Sequence, residues 1–383
     1  MKPKKTVPPV VHLITVHFGS LPDPRVDRTK HHPLINILVM ALCGAICGAD
    51  GWDALADFAE DRADWFQTFL DMPSGTPCAD TFRRVFCALD PQRFEEAFRR
   101  WVDSLAAEIA GQIVAIDGKS IRGAIEKAGS TTPLYLLHVF AVEQQLLLAQ
   151  RAVEGAPGET AAIPELLQLV DVRGATVTAD ANACTAAVTE ATRNAGADFV
   201  ITIKGNRGPL HAFVAAIFEE AEAHGFRGVP VHRSTHAGHG RQETRTVRAI
   251  RLKAWPSTNP QWTDVNTAVM IDRTRVVDGE ETSQRHYYIT SMPPDVGDID
   301  YAVRAHWSIE NNLHWQLDVG FGEDDRRIRD DIGAQNFALV TRMALTMLKR
   351  ETTMPGGIMR KRRKADRRND YLLRVLACGI PEI

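Results

Sequence analysis

Six cysteines, Cys43, Cys47, Cys78, Cys87, Cys184 and Cys378, are spread through 383 residues without a single CxxC pair. That lack excludes zinc ribbons and disulfide frameworks and leaves buried or free thiols of a reducing cytoplasm. No uncharged run reaches the roughly 20 apolar residues of a spanning helix. The longest, residues 33–49, contains Asn36 and Gly44 and predicts a buried helix. The start MKPKKTVPPVVHLITVHFG is broken by prolines and a histidine and is followed by no small-residue cleavage site, so no secretory signal is expected. Repeats and low-complexity tracts are missing too. With 44% hydrophobic and 24% charged residues, disordered and fibrous classes drop out, and the length suffices for two or three domains. These absences describe a cytoplasmic protein with no membrane partner.

A strong net charge is also lacking, since the whole chain carries −3. Its distribution is uneven: residues 342–374 hold eleven Lys and Arg against three acids, a net +8, which leaves −11 elsewhere. Such a run is either a solvated tail or an arm that gains affinity for nucleic acid by releasing counterions.

What the chain does have is three acids in unusual settings. Asp117 ends the apolar run Ile113-Val114-Ala115-Ile116 and precedes Gly118-Lys119. Asp180 ends a second run, 175–179, and Glu310 lies in the helix-patterned stretch 303–315. An Asp just past a strand often only caps the next turn. Two strand-end aspartates followed by a helical glutamate, in that order, instead suit a cage for Mg²⁺, which takes oxygen ligands and keeps waters and room for a phosphate. Two such ions activate an attacking oxygen and steady a leaving one. This is the layout of polynucleotidyl transferases built on an RNase H-like core. Without a cation the acids would repel one another and leave the site poorly ordered.

Residues 30–110 read as all-helical, with helices over 34–47, 52–58, 64–70, 81–89 and 94–109 punctuated by Pro77 and Pro91. Asp80 or Thr81 is a candidate N-cap for a helix presenting Arg83 and Arg84, a candidate DNA-recognition element. Strands follow at 113–117, 135–142 and 146–153, the last two joined as an antiparallel hairpin through Glu143-Gln144-Gln145. A helix over 163–170 beginning near Pro164, a strand over 176–180, a helix over 184–194, a strand over 199–204 and a helix over 210–223 complete an α/β, mixed-sheet core with helices on both faces. The 130 positions between Asp180 and Glu310 are too many for the core alone. An inserted β-rich subdomain is therefore expected over about 229–292, with strands at 243–252, 267–271 and 286–291. The expected division is an extension (1–30), a helical DNA-binding region (31–110), the catalytic core (111–350) and a basic C-terminal segment (351–383).

The chain resembles the DDE transposases of bacterial insertion sequences, specifically the H-repeat-associated (ISAs-type) family. The resemblance rests on TFRRVF at 81–86 with LDP at 89–91, AIDGK at 115–119, AIPELL at 162–167, GADFV at 196–200 with KGN at 204–206, HGRQETR at 239–245 and, most specifically, RAHWSIENNLHWQLDV at 304–319. It implies an RNase H-like core, a helical N-terminal DNA-binding region, and Mg²⁺-dependent (or Mn²⁺-dependent) cutting and joining of element ends by Asp117, Asp180 and Glu310. It also implies DNA contacts from Lys119, Arg122, Lys204, Asn206, Arg241, Arg304 and His314 beside Arg83 and Arg84. The partners implied are the terminal repeats, target DNA and further copies of the chain. One departure stands out. Broader relatives carry Y-x2-R-x3-E-x6-K, whereas Val303, His306, Glu310 and Leu317 fill those places here, with Tyr301 and Arg304 keeping the first step two positions earlier. His314 or Lys119 is the expected substitute for the missing Lys.

Other readings remain open at this level. His306, Glu310 and His314 stand at i, i+4 and i+8 and would make a transition-metal site. A catalytically silent DNA-binding regulator of the element, or a metal-dependent nuclease of the same fold, would share most of these residues.

Overall fold

The computed structural model describes residues 8–124, 133–238, 241–253, 262 and 264–380. Six helices come first: α1 (Pro9–Phe18), α2 (Leu34–Cys47), α3 (Trp52–Asp61), α4 (Ala63–Gln67), α5 (Ala79–Ala88) and α6 (Pro91–Leu105). Helix α2 is apolar all round because it is buried all round, every residue except Ile35 being inside. Helix α6 starts as its sequence dictates: Asp90 accepts the N–H groups of Gln92 (2.9 Å) and Arg93 (3.2 Å), and Pro91 fills the first turn. On α5 the cap is Cys78, not Asp80 or Thr81. Asp80 instead lies inside the first turn and pairs with both Arg83 (2.6 Å) and Arg84 (2.7 Å). Among the described residues, no single helix is long and apolar enough to cross a membrane.

The core then runs β1 (Ile113–Ile121), β2 (Leu134–Ala141), β3 (Leu146–Val153), α7 (Gly155–Leu167), β4 (Thr176–Ala179), α8 (Ala186–Asn194), β5 (Asp198–Ile203) and α9 (Gly208–Ala223). Helix α7 begins eight residues before the expected start and holds Pro164 in its interior. An interior proline forfeits one helical hydrogen bond and crowds the carbonyl four residues back, so this helix continues through Pro164 at a cost. Four long strands follow, β6 (Val231–Gly238), β7 (Arg241–Arg251), β8 (Thr267–Val277) and β9 (Glu280–Thr290), then α10 (Val296–His306), α11 (Trp315–Phe321), α12 (Asp331–Arg350), α13 (Ile358–Arg367) and α14 (Asn369–Ala377).

Among the described residues, nine strands form one mixed sheet in the order β3-β2-β1-β4-β5-β9-β8-β7-β6. Strand β1 is antiparallel to β2 and parallel to β4, and β4 is parallel to β5, which is the RNase H-like arrangement expected. The β-rich insertion is not set apart from it. Strand β9 pairs antiparallel with β5, so β6–β9 prolong the core sheet instead of forming a second one.

Helix α12 ties the halves together. It packs against α2, α5 and α6 on one side and β2 and β3 on the other, and all its residues from Asn336 to Leu348 are buried. Asn336 donates to the carbonyls of Phe86 (2.8 Å) and Leu89 (2.9 Å), while Phe337 meets Trp52 and Phe86 edge-on. The basic C-terminal segment folds back onto this bundle. Lys361 is buried and donates to Leu348 O (2.8 Å), closing the end of α12, and Arg362 reaches Ala45 O (3.0 Å) and covers the ring of Phe321. Arg360, Arg363, Arg367 and Arg368 stay exposed.

Candidate active site

The register of two parallel strands places the first two acids. Ile116 of β1 lies opposite Ala179 of β4, the last residue of that strand, so Asp117 and Asp180 are the next pair out. Asp117 is not the end of its strand, because β1 continues to Ile121 against β2. It stands where β4 stops and the sheet opens. Asp180 keeps its turn-capping role as well, its Oδ1 accepting from Asn182 N–H (2.8 Å) and Ala183 N–H (3.4 Å). Glu310 opens a π-helical turn, Glu310–His314, between α10 and α11, where the N–H of Trp315 donates back to Glu310 O. Such turns recur at functional sites because they re-aim side chains within a helix.

The three acids line one cavity of about 440 Å³. Ligand atoms of Asp117, Glu310 and His314 lie within 4.8 Å of one another. His314 Nδ1 is 3.1 Å from Glu310 Oε2 and 3.7 Å from Asp117 Oδ2, so the imidazole stands between two of the carboxylates and hydrogen-bonds to Glu310. Burial pushes the Asp117 carboxyl up to about 6, with Asp180 and Glu310 adding to the rise and His314 opposing it. The hydrogen bond from His314 holds Glu310 below its ordinary range.

Behind His314 runs a buried chain. Its Nε2 is 3.1 Å from Nδ1 of His138, the β2 residue directly opposite Asp117, and His138 Nε2 is 3.5 Å from Arg342 Nη2 on α12. Arginine only donates. We therefore assign the acceptor role to His138 Nε2, a proton to its Nδ1, and a proton to His314 Nδ1 that points at Glu310. Burial first, and then the neighbouring Arg342 guanidinium, hold His138 well below the ordinary imidazole range, which keeps it neutral. Arg342 is anchored in turn by the buried Glu323 (Nη2 to Oε2, 3.0 Å).

Gly118 has a reason of its own: a Cβ there would strike Glu159 of α7 and Tyr135 of β2, which are hydrogen-bonded to each other beneath the site. Burial raises the Glu159 carboxyl to about 7; the Tyr135 bond opposes this, and Asp180 and Asp117 add to it.

The other expected contacts are scattered. Lys119 is buried between Asp318 (2.6 Å) and Asp324 (3.5 Å), so it is not free for a phosphate. The same pairs occupy Asp318 and Asp324, and Arg342 occupies Glu323, so each of these three acids is matched by a cation. Arg122 is exposed at the end of β1, its N–H on Asp324 (3.2 Å). Lys204 is exposed and lines the cavity, whereas Asn206 braces the turn after Asp180 through Ala181 O (3.0 Å). Arg304 touches His236 of β6 and lines an adjoining cavity with Glu310. Arg241 opens β7 opposite Gly238 and Val277, while His239 and Gly240 lie outside the described residues. Arg83 and Arg84 are exposed on α5 and do not line the cavity. His306 does not join His314: half-buried, it sits against Thr178 Oγ1 (3.1 Å), with desolvation bringing its pKa to about 4, so the three-residue histidine site does not form. Leu317, where relatives carry Lys, is core.

Sequence reading missed His138, Glu159 and the Arg342–Glu323 pair. A histidine inside Leu-Tyr-Leu-Leu-His-Val-Phe-Ala was the available signal for the first.

Residues 109–347 match the family described as transposase DDE domain, and residues 15–102 the one described as DDE_Tnp_1-associated. The chain is 32% identical over 94% of its length to "Putative transposase YncI" of Escherichia coli O157:H7, covering 93% of that protein. It is 30% identical over 94% of its length to "H repeat-associated putative transposase YhhI" of Escherichia coli K12, covering 97% of it. A solved piggyBac transposase synaptic complex with hairpin DNA matches 97% of this chain and 81% of its own at 12% identity and a TM-score of 0.37, too loose a likeness to place any residue.

Proposed function

The chain belongs to the DDE transposase family, and from that premise we propose that it binds insertion-sequence ends and uses Asp117, Asp180 and Glu310 to cut and join DNA strands. The observation that carries this reading is the convergence of acids from β1, the end of β4 and the α10–α11 turn on one cavity. The donor set suits a hard divalent ion: Asp117 and Glu310 oxygens lie within reach of one cation, and the half-buried, crowded Asp117 carboxyl, raised by desolvation, gains from a positive charge. Asp117, Asp180 and Glu310 would hold Mg²⁺, with Mn²⁺ able to substitute. When bound, the ions supply the charge that activates an attacking oxygen and stabilises the leaving one.

The protein's own groups do the rest. Asp117 is fixed by the strand register, Asp180 by two backbone N–H groups, and Glu310 by a protonated His314 Nδ1 backed by His138 and Arg342. The chain would act in the bacterial cytoplasm as a homo-oligomer that holds two element ends, with residues 31–110 contributing to end binding.

Purified protein incubated with DNA carrying the element's ends should cleave strands with Mg²⁺ or Mn²⁺ and stop with a chelator. Ca²⁺ should support binding without efficient cleavage, because it accepts looser geometry. Cleavage restored by Zn²⁺ alone would overturn the assignment.

Two further surfaces divide the binding. Replacing the exposed Arg360, Arg363, Arg367 and Arg368 with Gln should weaken binding to every sequence and flatten its log–log salt slope by roughly 0.9 per lost phosphate contact. Replacing Arg83 and Arg84 should mainly narrow the gap between end DNA and random DNA. Titrations on both DNAs across several salt concentrations separate these roles. An unchanged slope in the first variant removes α13 from the interface, and an unchanged preference in the second moves recognition elsewhere.

A further inference from the structure

The cavity that starts at the three acids ends on cations. Arg245 of β7 and Arg273 of β8 are cross-strand partners and share one face of the sheet extension, His286 stands on the neighbouring β9, and Lys204 follows β5. All four line the same cavity as Asp117, Asp180 and Glu310. Arg245 is only 6% exposed. Its Nε donates to Asp300 Oδ1 of α10 (2.9 Å), while its Nη2 is buried with no partner, as is His286 Nε2. Asp300 also accepts from Ser234 (Oγ to Oδ2, 3.0 Å), and as one carboxylate against Arg245, Arg273 and Lys204 it does not neutralise the group as a whole.

An arginine this deeply buried normally has its donors matched, because an unmade bond there forfeits hydration without return. A guanidinium with one side anchored and the other facing a cavity is a pre-set anion receptor. The electrostatics agree with the geometry. Burial lowers His286, and the charges of Arg273, Lys204 and Arg245 lower it further, so the imidazole stands in the positive field of these three cations. The strip continues into the adjoining cavity with Arg275 and Arg304.

We infer that this basic end is a phosphate subsite, which seats the backbone phosphate of a nucleotide neighbouring the one presented to the acids. The inference rests on the proposed reading of the acids as the cutting centre. It assigns the β6–β9 extension a role: to carry one wall of cations opposite the carboxylates, so that a DNA strand is held on both sides of the phosphodiester being attacked. The ligand is a phosphodiester of a DNA strand, and not a free phosphate ion.

The test uses the full chain in chelator, where no cleavage occurs, titrated calorimetrically with a short single-stranded oligonucleotide and, separately, with inorganic phosphate. Arg273→Gln leaves the Arg245–Asp300 pair intact and should weaken oligonucleotide binding about tenfold or more. Arg245→Gln should do the same, and its circular dichroism checks the fold. Weakening of the oligonucleotide in Arg273→Gln, with or without weakening of inorganic phosphate, supports the subsite. Unchanged oligonucleotide binding in Arg273→Gln overturns it, as does an effect on inorganic phosphate alone. Because no metal is present, failure here is distinct from failure of the cutting reading, which shows as absent Mg²⁺-dependent cleavage in the wild type.

Discussion

Asp117→Asn is expected to lower Mg²⁺-dependent strand cleavage by about three orders of magnitude or more, the scale on which pre-organised charge at a reacting centre is lost, while end binding survives. Asp180→Asn and Glu310→Gln should behave alike, since each removes a ligand charge at nearly constant size. The same change at 117 should also alter stability, with a sign fixed by the raised carboxyl. The folded Asp117 titrates near 6, above an ordinary aspartate at 3.8. As pH rises from about 4 to about 6 the unfolded chain releases its proton first, so the metal-free protein loses stability through that window and stays penalised above it. Asp117→Asn has no proton to lose. In chelator its melting temperature should exceed the wild type's at pH 7 and converge with it near pH 4. Added Mg²⁺ should stabilise the wild type and not the variant. Full cleavage by Asp117→Asn removes the residue from the catalytic set, and a melting difference independent of pH removes the electrostatic account.

The parts of this site legible in the sequence were those written in local pattern. Apolar runs that stop at Asp117 and Asp180 reveal two strands and their ends, although β1 in fact continues because β2 supports it on the other side. The Glu143–Gln145 link gives the β2–β3 hairpin, where Gln145 takes the left-handed backbone such turns need. The insertion was less legible. Strand β6, Val-His-Arg-Ser-Thr-His-Ala-Gly, has little apolar alternation because it is the exposed edge of the sheet, and the outer halves of β8 and β9 are charged. Asp278-Gly279, both at positive φ, was the missed signal that these halves form one hairpin. Charge misleads in the same way at α13: Ile358, Lys361, Arg362 and Ala365 fall on one buried helical face, where long cations satisfy the final carbonyls of other helices. The histidine within the apolar β2 run was a local signal, but its partners were not: Arg342 and Glu323 lie far along the chain, and only the packing of α12 behind the sheet brings them to His138 and His314.

That packing makes Glu323→Gln the substitution with the largest expected cost to folding. Arg342 and Glu323 have side chains 0% and 1% exposed, and the guanidinium also donates to Ala338 O (3.2 Å). Burial alone would raise the Glu323 carboxyl; the Arg342 guanidinium outweighs it and holds the group below its ordinary range. Removing the acid's charge leaves a buried cation facing His138, itself neutral, with Lys119 and Arg326 nearby. Breaking such a pair from one side costs about 3–5 kcal/mol. Replacing both partners with apolar residues, Arg342→Met with Glu323→Met, should cost less than either single change, because no unpaired charge remains. The pH dependence follows from the lowered carboxyl. Stability from the pair is present above the ordinary glutamate range and is lost as pH falls through the lower folded value, so the wild type should lose its advantage over Glu323→Gln in acid. A catalytic consequence accompanies the structural one. In the double variant His138 Nε2 has no donor, the proton on His314 Nδ1 is no longer specified, and Glu310 loses its fixed position; cleavage should fall while the fold and DNA binding persist. A double variant as unstable as the worse single one would show that the pair is not the dominant contact. One that is stable and cleaves like the wild type would show that Glu310 is positioned without the Arg342–His138–His314 chain.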